Sequence, residues 1–324
     1  MRVAIIGAGI CGLYLGWKLS ENGHQVTIFE KKDIIGKQVC SGLISERILY
    51  FIPESKKLIQ KQVHSCLIHF PKRTLKIHFS KKFFVMNHFE LDNLVLNLAR
   101  KAGAKINLNT AINSLPTEVD EAGVSSSPFA NARVFDRIIG CDGAMSQVRK
   151  SLFLPDPEFK LAIQGFISGS DNSNFVETWP TKSGFLWKIS RVKETEYGII
   201  EDPKEVRKIF DKFITEKKLH LERINSAVVS QGLVLPFNSK VTLCGEAAGL
   251  TKPWSGGGVI WSLMGAEILL KNFPDFLKYK KELKKFFLPN IIFSKIAKKM
   301  VYFLGFKFPW ILPKNHQIEG DFLM

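Results

Sequence analysis

The chain is short of cysteine, of acid relative to base, and of long apolar runs. Its 324 residues hold five cysteines, Cys11, Cys40, Cys66, Cys141 and Cys244, scattered with no Cys-x-x-Cys pair. That excludes a disulfide framework and a cysteine-built zinc site; no metal is expected, and the thiols fit a reducing cytosol. No stretch of 18 clean apolar residues occurs, so no membrane-spanning helix is expected. Internal repeats and low-complexity tracts are also missing, although "EAGVSSSPFANA", residues 121–132, reads as a loop. Acidic side chains are outnumbered 30 to 46 by Lys and Arg, leaving a net charge of +16. Such a surface favours anionic partners: nucleic acid, anionic lipid or a phosphorylated substrate. The chain is long for one simple core, which suggests two interleaved domains.

What is present is glycine in clusters. "RVAIIG" at the N-terminus is a continuous β-branched strand of the buried parallel kind. "AGICGLYLGWKLSENG" then reads as a helix stopped at Gly23, and "HQVTIFEKK" as a second strand carrying Glu30 at its end. A leader peptide is rejected for this apolar N-terminus, because its glycines fall at fingerprint spacing and a polar turn and strand follow. Further on, "FELDNLVLNLARKAGAKI" reads as an amphipathic helix and strand, "VFDRIIGCDG" as a strand into a turn, and "KVTLCGE" as a last strand. Between these pieces, "SCLIHF", "LKIHF", "KLAIQGFISG", "SGFLWKIS" and "YGII" alternate like antiparallel strands. The expected division is a discontinuous nucleotide-binding domain of residues 1–60, 88–155 and 238–272. A substrate domain would take 61–87 and 156–237, and C-terminal helices 273–324.

Three segments carry the chemistry. Gly7-Ala8-Gly9-Ile10-Cys11-Gly12 is a GxGxxG between strand and helix. Gly7 permits the turn, Gly9 lets backbone approach a pyrophosphate, Gly12 lets helix and strand pack, and the helix N-terminus faces the phosphates. Glu30 is placed for ribose hydroxyls. "GCDGAMSQVR" is a second strand-to-helix turn, in which Ser146 caps a short helix and Arg149 is open to three roles: pairing with Asp142, binding phosphate, or standing solvated on a capped helix. "CGEAAGLTKPWSGGG" strips a third helix start of side chains.

Together these resemble the three FAD motifs of the para-hydroxybenzoate hydroxylase-like flavoproteins. Within that superfamily the chain is most similar to the geranylgeranyl reductase family, through "GKQVCSGLIS" and the Pro-x-x-Gly-Gly-Gly form of Pro253 to Gly258. A further echo is the family's aromatic–Trp–aromatic–Pro motif, which falls on Phe185, Trp187, Ile189 and Ser190. The resemblance covers roughly residues 1–270. It implies an α/β fold: a Rossmann-like FAD-binding domain interleaved with a mostly antiparallel β-sheet substrate domain, plus C-terminal helices. It implies FAD held by Gly7, Gly9, Ile10, Cys11, Gly12, Glu30, Lys31, Cys40, Gly42, Asp142, Gly143, Ser146, Arg149, Gly245, Glu246, Ala247, Pro253, Gly256, Gly257 and Gly258. The electron donor stays open between NAD(P)H and a ferredoxin. Three departures stand out: Glu246 for the usual Asp, His88 and Asp92 where the family's middle helix offers an Arg, and Ile189-Ser190 for an aromatic and a Pro.

In the family the Cys40 loop lies by the flavin ring and its Cys is implicated in reduction, so Cys40 is the catalytic expectation, with Trp187 in the substrate pocket. The other four cysteines read as core. His64, His69 and His78 read as pocket-lining or solvated strand residues rather than metal ligands. Trp179, Trp254 and Trp261, with Trp187, either wall an apolar tunnel or pack as plain core. The tail from Lys271 interleaves 11 lysines with Phe, Ile and Trp against 4 acids. That suits a helix pair on an anionic membrane surface, or a helix covering the substrate domain. Nucleic acid is not expected, because the basic residues cluster with aliphatics. The expected activity is saturation of prenyl carbon–carbon double bonds, in free or lipid-attached chains, by a cytoplasmic enzyme that touches the inner face of a membrane. Two rivals are an FAD monooxygenase or dehydrogenase on an aromatic or quinone substrate, and a non-redox lipid-binding or prenyl-cyclising relative.

Overall fold

The computed structural model describes residues 1–36, 39–112 and 135–322; the loop expected at 121–132 lies outside them. The opening is the βαβ unit its hydrophobic pattern demands. Strand β1 (Arg2–Ile6) runs into helix α1 (Ile10–Glu21) and returns as β2 (Gln25–Phe29), parallel and in register from Arg2 opposite Gln25. Helix α1 is apolar nearly all round and correspondingly buried, with nine of its residues in the core. After helix α3 (His88–Lys101), strand β6 (Lys105–Asn107) joins β2; β7 (Arg137–Gly140) and β13 (Val241–Leu243) join the other side. The result is a five-stranded parallel sheet in the order β13-β7-β1-β2-β6. Its core takes in Val3, Ile5, Leu13, Leu15, Ile28, Leu243 and Trp261, all fully buried.

The second sheet has nine strands. Short β3 (Leu43–Ser45) pairs with β5 (Arg73–Met86), which also pairs with β4 (Ile59–Phe70). The series continues through β8 (Glu158–Ser168), β9 (Phe175–Pro180), β10 (Phe185–Ser190), β11 (Glu194–Glu201) and β12 (Arg223–Gln231). Their order is β12-β8-β11-β10-β9-β4-β5-β14, antiparallel except where β4 meets β9 and where β14 (Asn315–Ile318) meets β5. Helix α5 (Val206–Glu216) covers it with Val206, Phe210 and Phe213. Two α/β layers interleaved along the chain, with helices at the C-terminus, is the expected fold class.

The tail differs from the expected helix pair. Helix α6 (Val259–Asn272) is followed by one 32-residue helix, α7 (Phe276–Lys307), which continues through Pro289. A proline removes one helical hydrogen bond and favours a bend. Here Phe276, Tyr279, Leu283, Phe287 and Ile291, spaced three and four apart, bury one face and hold the helix on both sides of that proline. Among the described residues, no helix is long and apolar enough to cross a membrane.

Candidate functional site

The parallel sheet directs the C-terminal ends of all its strands at one cavity of about 420 Å³. Gly7 follows β1, Glu30 follows β2, Thr110 to Ile112 follow β6, Asp142 follows β7 and Glu246 follows β13; each lines the cavity. Ligands of open parallel sheets bind at such carboxyl ends.

At the N-terminal end the cavity is built from backbone. Gly7 sits at φ +101°, and a Cβ there would lie 2.4 Å from the Cys141 carbonyl oxygen. A Cβ on Gly12 would lie 2.0 Å from the Gly7 oxygen, whereas one on Gly9 would enter open space. Gly9 is the N-cap of α1 and gives no side-chain bond, so the first N–H groups of the helix are left for a ligand. The Glu30 carboxylate accepts from the Ala8 N–H at 2.8 Å and the Lys32 N–H at 3.0 Å. A carboxylate has about four acceptor positions, so sites remain for ribose hydroxyls. Ile10, Cys11 and Lys31 complete this wall.

The second motif works as a clamp. Asp142 accepts from the Ser146 hydroxyl at 2.6 Å and from the Gln147 and Val148 N–H groups at 2.6 and 3.1 Å, and Ser146 Oγ accepts from the Arg149 N–H. Burial pushes the Asp142 carboxyl above its ordinary range despite these bonds. Asp142 and Gly143 reach the cavity; Ser146 and Arg149 do not. Arg149 departs from its expected partners, Asp142 or phosphate. Its side chain is fully buried, pairs with Asp156 at 2.8 Å, and donates to the carbonyls of Ala144 and Ala247 at 2.8 and 2.9 Å. It ties the second motif to the third.

The third motif divides. Glu246 and Gly258 line the cavity, and a Cβ on Gly258 would lie 3.3 Å from Glu246 Oε1. Gly245, at φ +65°, packs against Cys11, and Ala247 is held from behind by Arg149. Pro253, Gly256 and Gly257 lie off the cavity. Lys252 and Gly257 close that loop on themselves, and Gly256 abuts Ile200 of the second sheet.

At the far end, side chains converge. The Cys40 thiol accepts from the Gly42 N–H at 3.4 Å, and Gly42, at φ +64°, leaves no room for a Cβ against the Met86 oxygen 2.0 Å away. Cys40 does not line the cavity, but it lies against the His88 ring, which does. His88 Nε2 is 3.3 Å from Asp92 Oδ1, one helical turn along α3, with both side chains buried. Burial alone would depress the ring; the charges of Asp92 and Cys40 outweigh it and hold His88 up to about 10. Asp92 also lines the cavity, so the pair stands where the family's middle helix carries an Arg.

Arg191 and Glu196 were not foreseen. Arg191 Nη2 donates to the Ser41 carbonyl at 2.6 Å and pairs with Glu196, buried on β11, at 2.6 Å; Trp187 Nε1 donates to Glu196 at 2.8 Å. Burial raises the Glu196 carboxyl, opposed by Arg191 and Trp187. Trp187 and the Cys40 loop are thus joined through one ion pair. The only sequence signal was the hairpin register that sets Ile189 opposite Glu196, which becomes visible once β10 and β11 are paired.

The remaining expectations divide too. Cys11, Cys141 and Cys244 meet as buried neighbours, Cys11 and Cys141 in the cavity wall, and His69 binds Glu177 and stacks on Trp179. Trp261 is core, bonded to the Asp321 carbonyl and packed against Trp254. Among the described residues, no cluster of His, Cys, Asp or Glu could hold a metal ion.

Residues 5–43 match the model of an NAD(P)-binding Rossmann-like domain. The structure is similar to that of a geranylgeranyl bacteriochlorophyll reductase-like protein from Thermoplasma acidophilum, with TM-score 0.76 and 19% identity over 92% of this chain and 86% of the other. In sequence, the chain is 24% identical to a digeranylgeranylglycerophospholipid reductase of Methanocella arvoryzae, covering 82% of this chain and 75% of that one. It is also 24% identical to a kynurenine 3-monooxygenase of Christiangramia forsetii, covering 79% and 69%. Fold and site define a class: a Rossmann-like dinucleotide-binding domain interleaved with a mostly antiparallel sheet, the fold these structures share. Within that class the likeness runs both to reductases and to monooxygenases.

Proposed function

We propose that the chain reduces carbon–carbon double bonds in a prenyl chain, free or attached to a lipid, at an FAD held in the cavity. The residues fit that cofactor: Gly7 and Gly12 cannot carry a Cβ, Gly9 opens onto space, and Glu30 stands at the end of β2. In this reading Gly7 to Gly12 and Glu30 hold the adenosine and pyrophosphate, Asp142 and Gly143 the middle, and Glu246 and Gly258 the ribityl and ring end. FAD bound there would, once reduced, supply the hydride chemistry for the double bond. Cys40, or water, supplies the proton. Arg191 and Glu196 keep the Cys40 loop in place beside Trp187.

The observation that carries the apolar substrate is the outer face of α7. Ile292, Ile296, Met300 and Phe303, at helical spacing, are each more than half exposed, and Trp310 and Ile311 extend the face. Lysines flank it, and the helix is fixed beside the third-motif loop by Lys298, donating to the Ser183 and Pro253 carbonyls, and by Tyr302, donating to Gly184. An apolar stripe with a lysine border suits the surface of an anionic bilayer, where such a substrate lies. Vesicle flotation checks this part. Binding to anionic vesicles should exceed binding to neutral ones and fall at least tenfold in an I292S/I296S/M300S/F303S variant; equal flotation of the variant would sink it.

The reaction itself is tested anaerobically. The FAD-loaded protein is reduced chemically, a geranylgeranylated phospholipid is added, and the flavin spectrum is followed. Return of the oxidised spectrum without oxygen supports the reductase reading. A flavin that stays reduced until air is admitted favours the second reading, an oxygen-dependent hydroxylase of an aromatic or quinone substrate, for which the likeness to a kynurenine 3-monooxygenase speaks.

A further inference from the structure

Beside the third-motif loop lies a second cleft, which shares no residue with the larger cavity. Its walls include Lys160 of β8, Ser183 and Gly184 in the turn between β9 and β10, Pro253, and Lys298 of α7. About 10 Å³ of it is open, room for about one oxygen atom. Three lysines meet here against one available carboxylate. Lys160, with only 10% of its side chain exposed, is 3.3 Å from Glu158 and donates to Ser183 Oγ at 3.2 Å. Lys295 shares the same Glu158, at 3.4 Å. Lys298 makes no ion pair among the described residues; it donates to the carbonyls of Ser183 and Pro253, at 2.9 and 3.4 Å. Glu201 is buried and already engaged, accepting from the Thr181 and Ser183 hydroxyls and from the Ser183 and Asp202 N–H groups.

A half-buried ammonium without a counter-charge is costly, and a like charge beside it adds to the cost. Burial and the Lys160 charge accordingly pull the Lys298 amine down to about 8; Glu201 and Glu158 oppose this without cancelling it.

We propose that Lys160 and Lys298 form a phosphate-binding site, taking one terminal oxygen of a phosphate group between their ammonium groups. Each ammonium has three N–H donors and two near partners, so one N–H of each is left for that oxygen. Lysine binds phosphate as a compact point charge, which suits a cleft that admits a single oxygen. Lys295, held within reach by the shared Glu158, adds a third positive charge to the approach. The recognised group is the same whether it belongs to a soluble phosphate ester or to a lipid headgroup. The site does not rest on the reductase reading.

The test is amine labelling of the full-length protein with FAD present. A trace of an N-hydroxysuccinimide ester is added at about pH 8, where the Lys298 amine is half neutral, and labelled lysines are read by peptide mass spectrometry. Inorganic phosphate should slow Lys298 labelling about tenfold, since a charge-assisted bond is worth a factor of about ten or more. Lys299, exposed on the same helix, should be unaffected, and acetate at equal ionic strength should not protect Lys298. Equal labelling of Lys298 with and without phosphate overturns the proposal, as does equal protection by acetate. In calorimetry, K298Q and K160Q should each weaken phosphate binding about tenfold, and K299Q by less than about twofold. Phosphate held in the larger cavity would respond to none of these. A folded K298Q with unchanged phosphate affinity overturns the site; should K160Q fail to fold, K298Q and the wild-type labelling decide. Repeating the labelling with glycerol phosphate and with phosphatidylglycerol vesicles separates the sources. Protection of Lys298 by the ester alone assigns a soluble ligand, and protection of Lys298 but not Lys299 by vesicles assigns a headgroup. No double bond is involved, so a failed reductase assay and a failed protection experiment are separate results.

Discussion

The two ends of the cavity are built from different materials. At the N-terminal end, backbone does the work: Gly7, Gly9 and Gly12 are defined by what cannot be added to them. At the far end, Cys40, His88, Asp92 and, behind them, Arg191, Glu196 and Trp187 converge as side chains from four separated segments. A site made of backbone is specified by fold geometry and tolerates little substitution. One made of side chains can be re-equipped while the fold stays put. Of the positions that depart from the resembled pattern, His88 lines this second end, and Ile189 and Ser190 directly precede Arg191 behind it.

The largest effect should come from the backbone end. Gly7→Ala puts a methyl 2.4 Å from the Cys141 carbonyl oxygen in a backbone conformation of φ +101°. Overpacking and a strained non-glycine φ each cost on the order of 1–3 kcal/mol, and here they act together. The variant should lose FAD retention altogether and melt well below the wild type. Flavin recovery after gel filtration, with a thermal melt, checks this; full flavin content would mean the loop yields more easily than its contacts indicate.

That asymmetry also explains what could be read beforehand. The GxGxxG turn, Glu30 and the parallel strands were legible because each is a local pattern whose geometry is fixed within one βαβ unit. The destination of Arg149 was not, because its acceptors Ala247 and Asp156 come together only when β7 and β13 are paired in space. The Arg191–Glu196 pair hides in a hairpin whose register has to be known first. The expected helix pair in the tail gives way to one long α7, because the local stop signal of Pro289 is overridden by the buried ladder on either side. Strand β14 was missed because its four residues are exposed or half-buried and carry no alternating pattern.

Second in size is the charged pair at the far end. His88 is held up to about 10, above its unfolded value of about 6.5. Its contribution to stability is therefore complete below about pH 6.5 and is lost as pH rises through about 10. Wild type should exceed H88Q in folding free energy by on the order of 2 kcal/mol at pH 6, with the gap narrowing toward pH 10. Urea unfolding at pH 6, 8 and 10 measures it. A gap that widens with pH would reverse the assigned sign, and would mean that the ring is neutral in the fold.

The smallest effect sharpens the comparison most, because it removes a side chain from the end where backbone dominates. The Glu30 carboxylate is already engaged by the Ala8 and Lys32 N–H groups, which hold it in the cavity wall. Glu30→Gln keeps one oxygen acceptor and the side-chain volume but gives up the charge that makes such bonds about twice as strong. One of the two N–H groups then faces an amide donor, so the melt should fall slightly, for a cost of about 1 kcal/mol. FAD affinity should fall about tenfold, worth about 1.4 kcal/mol, in a flavin-fluorescence titration. An unchanged Kd would mean that the glycine turn and helix N-terminus suffice to hold the adenosine half, and that Glu30 serves chiefly to fasten the loop. A thousandfold loss would mean the reverse: the loop is only a frame, and this end too is governed by a side chain.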